Sequence, residues 1–517
     1  MPALSTQLLV IGGGATGLGV AWDACLRGIK VVLVEQSDLG QGTSGRYHGL
    51  LHSGGRYVLS DPQSATDCAR ENEILRRLAP TTIEDTGGLF VAAPADPADF
   101  PDRWVAACQQ TGVAAEEVTL AAVLRREPLL NPGLVRAFQV RDASLDSFDL
   151  LHLLCTSIRA QGGQVWLRHK VNRLLMQEGA VVGAEVVNLS SGECIHIGAH
   201  LVVNAAGPWA RTVASLAGVD LPIALGRGAM VAMASRLVNT VVNRCKPPSD
   251  GDILVPVGTV SILGTTDEHV DSPDDLTIAA WEIDLLLAEA EVLLPGIASH
   301  RALRAWSGIR PLYRPAPAAG TETRELPRAH TILDHGDTHG VPGLVSVIGG
   351  KLTTFRLMAE QVLQVVAPHL GISAPCRTAD TPLGPVGHRY HRLPHRLDQL
   401  EHPQASAPQV ICECELVTRP DLEAALGAIE SPDLDDLRRD LRLGMGPCQA
   451  AFCGYRAAGI TLRTLDAPPP DGGLAAFLQE RWRGLRPLAW GHTLRQMEFS
   501  RRVSAELLGL TDAPETP

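Results

Sequence analysis

An α/β fold built from interleaved segments of chain, with a small helical module toward its C-terminal end, is predicted by three features of this 517-residue sequence. A glycine-rich strand–turn–helix–strand unit opens the chain. Further strand–glycine turns recur at long intervals, separated by blocks patterned as antiparallel strands. Four of the eleven cysteines cluster late, beside stretches with helical periodicity.

The opening unit is "QLLVIGGGATGLGVAWDACLRGIKVVLVEQ". An apolar strand ends at Ile11, and Gly12, Gly14 and Gly17 follow as G-x-G-x-x-G. A helix runs to about Gly28, and a second strand ends in Glu35, 18 residues past Gly17. Gly12 permits the tight turn, Gly14 lets a pyrophosphate approach the backbone, and Gly17 lets helix and strand pack closely. The helix N-terminus turns its positive end to phosphate, and Glu35 can accept from ribose hydroxyls. This is a Rossmann-like dinucleotide site.

Three later stretches specify FAD over a nicotinamide. "GQGTSGRYHGLLHSGGRYV" offers Thr43 and Ser44 for a second phosphate. "HLVVNAAGPWA" ends a strand at Ala206-Gly207. "LVSVIGGKLTTFRLMAE" passes from a strand through Gly349-Gly350 to a helix start carrying Thr353. That second helix N-terminus can face the flavin and its ribityl chain. No second G-x-G-x-x-G in strand context exists for a nicotinamide. The expected FAD domain is discontinuous (1–84, 151–221 and 316–369), with a substrate domain from 85–150 and 222–315. "LGRGAMVAMAS" and "GTVSILGTTDE" read as antiparallel strands of the latter.

Composition narrows the function classes. Apolar residues make up 45%, charged residues 20%, and the net charge is −12. That surface disfavours nucleic acid and anionic lipid as general partners without excluding a basic pocket. No apolar run approaches the roughly 20 residues a bilayer span needs. The start has no basic region before its apolar strand, so no signal peptide is read and a reducing cytoplasmic location is expected. An odd number of cysteines argues against a disulfide framework.

The cysteine cluster consists of Cys412-x-Cys414 in "APQVICECELV" and Cys448-x4-Cys453 in "RLGMGPCQAAFCGYR". The 33 residues between the pairs carry two helical patterns. Four thiolates on two short loops suit a [2Fe–2S] cluster, with zinc as the alternative donor chemistry. A Pro- and His-rich segment, 370–407, reads as a linker. The cluster-bearing domain is expected at 408–465, and a helical C-terminal segment at 466–517, its helices packing on the body or on a partner.

The motifs together resemble a family. "HSGGRY", "GTTDE", "SGIRPL" and "GGKLTTFR", with the nucleotide motif, are similar to the FAD-dependent glycerol-3-phosphate dehydrogenases, within the D-amino-acid-oxidase-like flavoproteins. "NRCKPPSDGDILVP", "RLGMGPCQAAFCGYRAAG" and "ERWRGLRPLAWG" resemble the A subunits of the anaerobic branch in particular. The cysteine spacing resembles the bacterioferritin-associated-ferredoxin-like [2Fe–2S] domain of those subunits. The resemblance implies oxidation of sn-glycerol 3-phosphate to dihydroxyacetone phosphate, with electrons passing through FAD toward quinone. It also implies two partners: one is a second dehydrogenase subunit, the other a membrane-docking iron–sulfur subunit that holds the complex to the inner face of the membrane.

The chemistry constrains the site residues. A phosphate dianion wants forked cationic donors, which Arg56, Arg310, Arg328 and Lys351 can supply. Removal of hydride from C2 needs a base for the hydroxyl proton, and His52 is the first choice, with Lys351 holding the same oxygen. Respiratory relatives carry a histidine where this chain has Met230, so a base at that position is missing. Another hydroxy acid, such as 2-hydroxyglutarate, remains an alternative substrate. So does an electron-relay role without a substrate of its own.

Overall fold

A computed structural model describes residues 4–315, 323, 326, 329–384, 392–401, 408–428, 432–489 and 491–508. At its centre parallel strands lie side by side: Gln164–Trp166, Val31–Val34, Leu4–Ile11, Cys194–Asn204 and Leu344–Gly349. They read as near-continuous apolar runs because both faces are covered. Leu8, Val10, Leu33 and Val203 pack under the helices Ala15–Leu26, Ser147–Ala160 and Phe355–His369. Leu9, Val32 and Val202 pack on the other face with Leu174 and Val186 from an antiparallel ribbon. Gly19 lets two of the helices touch: a Cβ there would lie 2.9 Å from the Phe355 ring.

Among the described residues, the second sheet has nine strands. Its longest pairing joins Ile223–Met233 to Ala302–Tyr313, in antiparallel register from Ile223 opposite Tyr313. Helix Ala280–Leu293 seals its outer face with Ile283, Leu286, Ala290 and Leu293, all fully buried. The fold is thus α/β, with the parallel sheet and the largely antiparallel sheet meeting along the glycine turns.

The structure refines two boundaries. The division read at residue 150 falls inside helix Ser147–Ala160, which Asp146 caps by accepting from the amides of Phe148 and Asp149 at 3.1 and 3.3 Å. The segment read as linker is built into the body over its first part. Thr378 Oγ1 accepts from Arg356 at 3.0 Å, and the Leu383 amide donates to Leu78 O. Its later described part forms helix Arg392–Glu401.

The cysteine module has its own core, in which Ile411, Leu422, Leu426, Leu437 and Ile460 are joined by Phe477 and Leu478 of helix Leu474–Arg483. Arg439, 1% exposed, clamps the module to the flavin-binding region. Its guanidinium meets Asp38 and Asp436 at 2.6 Å each, and also Asp435. Arg168 reaches back to Asp436, and Arg442 pairs with Asp146 at 3.3 Å and Glu415 at 3.0 Å. The tail also ties to the second sheet, where the Ala305 amide donates to Gly484 O at 2.7 Å. Among the described residues, no helix is long and apolar enough to cross a membrane.

Candidate active site and cysteine centre

A cavity of about 1460 Å³ runs between the two large sheets. Ordinary small-molecule pockets enclose roughly 300–1,000 Å³, so a dinucleotide and a small substrate fit together here. Gly12, Gly14, Glu35, Thr43, Ser44, Ala206, Gly207, Gly349, Gly350 and Thr353 all line it, and so do His52, Arg56, Arg310 and Lys351. Gly17 does not line it; it acts from behind, where a Cβ would lie 1.9 Å from Gly12 O. Arg328 lies outside the described residues.

The walls fit a flavin dinucleotide. Gly12 has φ +115°, and a Cβ on it would meet Ala205 O at 2.5 Å, so only glycine turns the chain here. Gly14 caps helix Ala15–Leu26 without a side-chain cap, leaving that N-terminus open to phosphate. Ser44 Oγ accepts from the Ala15 amide at 3.0 Å, joining the loop to the helix start. Glu35 is half-buried at the cavity wall and accepts from the amides of Gly13 at 2.6 Å and Ser37 at 2.9 Å. Burial raises its pKa against those bonds. Gly349 and Gly350, at φ +81° and +82°, bring the last strand into the cavity wall.

His52 and Lys351, the side chains read from the sequence as catalytic, are held by a second set of contacts. Gly54 has φ +100°, and a Cβ there would strike Ala65 O at 2.3 Å, so the S-G-G-R loop folds tightly onto helix Pro62–Leu78. Asn72 on that helix donates to His52 O at 3.0 Å, and the His52 amide donates to Thr353 Oγ1 at 3.2 Å. Arg356 and Glu71, both fully buried, form a two-pronged pair at 2.7 and 2.6 Å. That pair locks the helix after His52 to the helix after Lys351. Lys351 Nζ donates to Ser64 Oγ at 2.8 Å and lies 4.3 Å from the centre of the Tyr57 ring, which stands 5.3 Å from His52.

Both arginines that line the cavity as candidate substrate ligands, Arg56 and Arg310, have carboxylate partners. Arg56 meets Asp252 at 2.7 Å, and Arg310 meets Asp267 at 2.8 Å while donating to Thr266 O at 3.0 Å. These contacts orient the guanidinium groups at the cavity wall. Burial, with His48, Arg56 and Lys351 nearby, pushes the His52 pKa well below the ordinary imidazole value. The ring is therefore held neutral, with one nitrogen unprotonated. His48, Tyr57, Asp267 and Met230 also line the cavity. The first three escape a reading of the sequence for site residues, although each lies in or beside a quoted motif; the signal for His48 is its place four residues before His52.

The four late cysteines come together. Each of the four thiols is near enough to another to act on its ionisation, Cys453 on Cys412 and Cys448, and Cys448 on Cys414. The neighbouring Cys453 thiol favours the thiolate at Cys448 and Cys412 and pulls both below the ordinary thiol range, while burial raises Cys414. Gly446 has no room for a side chain, since a Cβ would sit 2.2 Å from Cys414 Cβ. Among the described residues, no group of three or more His, Cys, Asp or Glu side chains is arranged to take one metal ion. Four thiols in two pairs are a donor set that either a two-iron centre or a single zinc ion can take.

The fold and cavity define a flavin-dependent oxidoreductase. A family model described as FAD dependent oxidoreductase matches residues 7–356, and the chain belongs to that family. Within it, the chain aligns with the A subunits of anaerobic glycerol-3-phosphate dehydrogenase. The A1 subunit of the Haloferax volcanii enzyme is 39% identical over 99% of this chain and 92% of its own length. The corresponding A subunit of the Escherichia coli enzyme is 38% identical over 98% and 97%. The fold is also that of a solved glycerol-3-phosphate dehydrogenase from Bacillus halodurans complexed with FAD, at TM-score 0.62 and 24% identity, over 99% of this chain and 95% of that one.

Proposed function

We propose that the chain oxidises sn-glycerol 3-phosphate to dihydroxyacetone phosphate and passes the electrons through a [2Fe–2S] cluster and partner subunits to quinone. The observation that carries this reading is the cavity joining the glycine cradle to His52, Lys351, Arg56 and Arg310. The names of the relatives, each the A component of an anaerobic glycerol-3-phosphate dehydrogenase, support it.

In this reading, Arg56 and Arg310 bind the phosphate and leave the C2 hydroxyl facing His52 and Lys351. Neutral His52 takes the hydroxyl proton on a ring nitrogen. Lys351, fixed over Tyr57, holds the same oxygen and offsets the charge that develops as its proton leaves. FAD, when bound, supplies the acceptor for the hydride from C2. Met230 offers no proton acceptor, which leaves the base role to His52.

Cys412, Cys414, Cys448 and Cys453 would hold the cluster, whose chemistry is one-electron transfer. The partners in this reading are a membrane-docking iron–sulfur subunit together with a second dehydrogenase subunit; between them they place the chain at the inner face of the membrane.

Anaerobic addition of sn-glycerol 3-phosphate to the purified chain should bleach the flavin absorbance. A chain that holds FAD yet is not bleached by this substrate refutes the assignment. Cys448→Ser, prepared without oxygen, should lose iron and labile sulfide while keeping FAD and the bleaching; zinc without iron in anaerobic wild-type protein would refute the cluster.

A further inference from the structure

We propose that His48 is a substrate-binding residue, a neutral hydrogen-bond donor to the phosphate, placed between the two arginines at one end of the cavity. The proposal rests on the glycerol 3-phosphate reading and adds a direction to it. His48 Nδ1 accepts a hydrogen bond from the Leu50 amide at 3.2 Å. A neutral imidazole whose Nδ1 accepts carries its proton on Nε2. The ring therefore presents an N–H group at a cavity wall it helps to form.

The charged neighbours divide the cavity into two ends. Those that act on His48 are Arg56 and Arg310, and with burial they hold its pKa down to about 3. Arg56 acts on His52 as well, whereas Lys351 acts on His52 and not on His48, beside the Tyr57 ring that both Lys351 and His52 contact. The His48 and His52 rings stand edge to face at 5.9 Å, one at each end. Arg310 and His48 thus mark an anion end and His52, Lys351 and Tyr57 a reacting end, with Arg56 reaching both rings. A neutral donor suits the anion end. It adds a hydrogen bond to phosphate without a third positive charge, and it cannot compete with His52 as a base while its Nδ1 is occupied.

The test uses the FAD-loaded chain, with inorganic phosphate as the probe and the shift in flavin absorbance as the readout. His48→Asn keeps the turn, because an asparagine carbonyl accepts from the amide two residues on, but it loses the far donor. It should retain FAD and weaken phosphate binding by about 10- to 100-fold, with the KM for glycerol 3-phosphate rising in step. The limiting rate of flavin bleaching should change far less. His48→Gln, whose longer amide reaches toward the Nε2 position, should recover part of the affinity. Unchanged phosphate affinity in His48→Asn overturns the proposal, as does a fall confined to the limiting rate. Wild-type protein that binds neither phosphate nor glycerol 3-phosphate overturns the substrate reading itself, and this one with it.

Discussion

At Gly12 and Gly17 the dinucleotide cradle closes because two stretches of backbone come within contact. At Arg439 the cysteine module closes on the same cradle because a buried guanidinium meets three carboxylates. The first junction is steric. It tolerates no added atom and has no dependence on charge. The second is electrostatic, with each charge removed from water and stabilised only by its partners. The glycine junction makes the pocket, whereas the arginine junction aligns a second module with it. Asp38 belongs to both regions: it lies three residues beyond Glu35, next to the cavity-lining loop, and it anchors Arg439.

The contrast can be broken at either side. Gly17→Ala should have the largest effect, because a methyl 1.9 Å from Gly12 O forces helix and strand apart. The purified protein should contain no stoichiometric FAD; full flavin content would show that the cradle is not limited by backbone contact. Arg439→Met should cost about 3–5 kcal/mol, since it takes from buried Asp38 the cation that it pairs with, while Asp435 and Asp436 keep Arg438 and Arg168. Urea denaturation would read this, and adding Asp38→Asn should recover part of the loss. A denaturation curve unchanged by Arg439→Met would remove the clamp from the stability of the fold.

Arg310→Ala should be milder, lowering kcat/KM for glycerol 3-phosphate by about 10- to 150-fold, the effect of about 1.5–3 kcal/mol from one charge-assisted hydrogen bond. Wild-type kinetics in this variant would remove Arg310 from the substrate site. The smallest effect is one of pH. An ordinary imidazole with pKa near 6.5 loses about three quarters of its basic form by pH 6. His52 has a depressed pKa and stays neutral as pH falls from 8 to 6. The limiting rate of flavin reduction should therefore stay level across that range, whereas a limb centred near 6.5 would point to a solvated base.

The parts of this molecule that depend on local geometry were legible in the sequence. Gly12, Gly14 and Gly17 announce the cradle because each is required within one turn of chain, and the spacing of the paired cysteines announces that they gather in one module. The linker was less legible. Its proline-rich composition hides that Thr378 and Leu383 find partners on the flavin-binding region, the second of them hundreds of residues away in the chain. Arg439 gave no signal at all, because a charged residue in an amphipathic helix reads as solvent-facing until its distant partner Asp38 is placed. His48 stood in a quoted motif, but its tautomer depends on the Leu50 amide, a detail of backbone direction that residue types do not encode.

The interleaving of the central sheet has a consequence for biosynthesis. Strand Leu4–Ile11 is made almost at once, and strand Cys194–Asn204, which pairs with it, much later. One edge of that later strand then waits for Leu344–Gly349. Until the ribosome has passed Gly350, the nascent chain displays an unpaired strand edge beside an open apolar face, the combination that invites wrong pairing. The cofactor pocket cannot be complete before that point, so flavin loading follows most of translation, and a chain truncated before Gly350 has no route to a finished site.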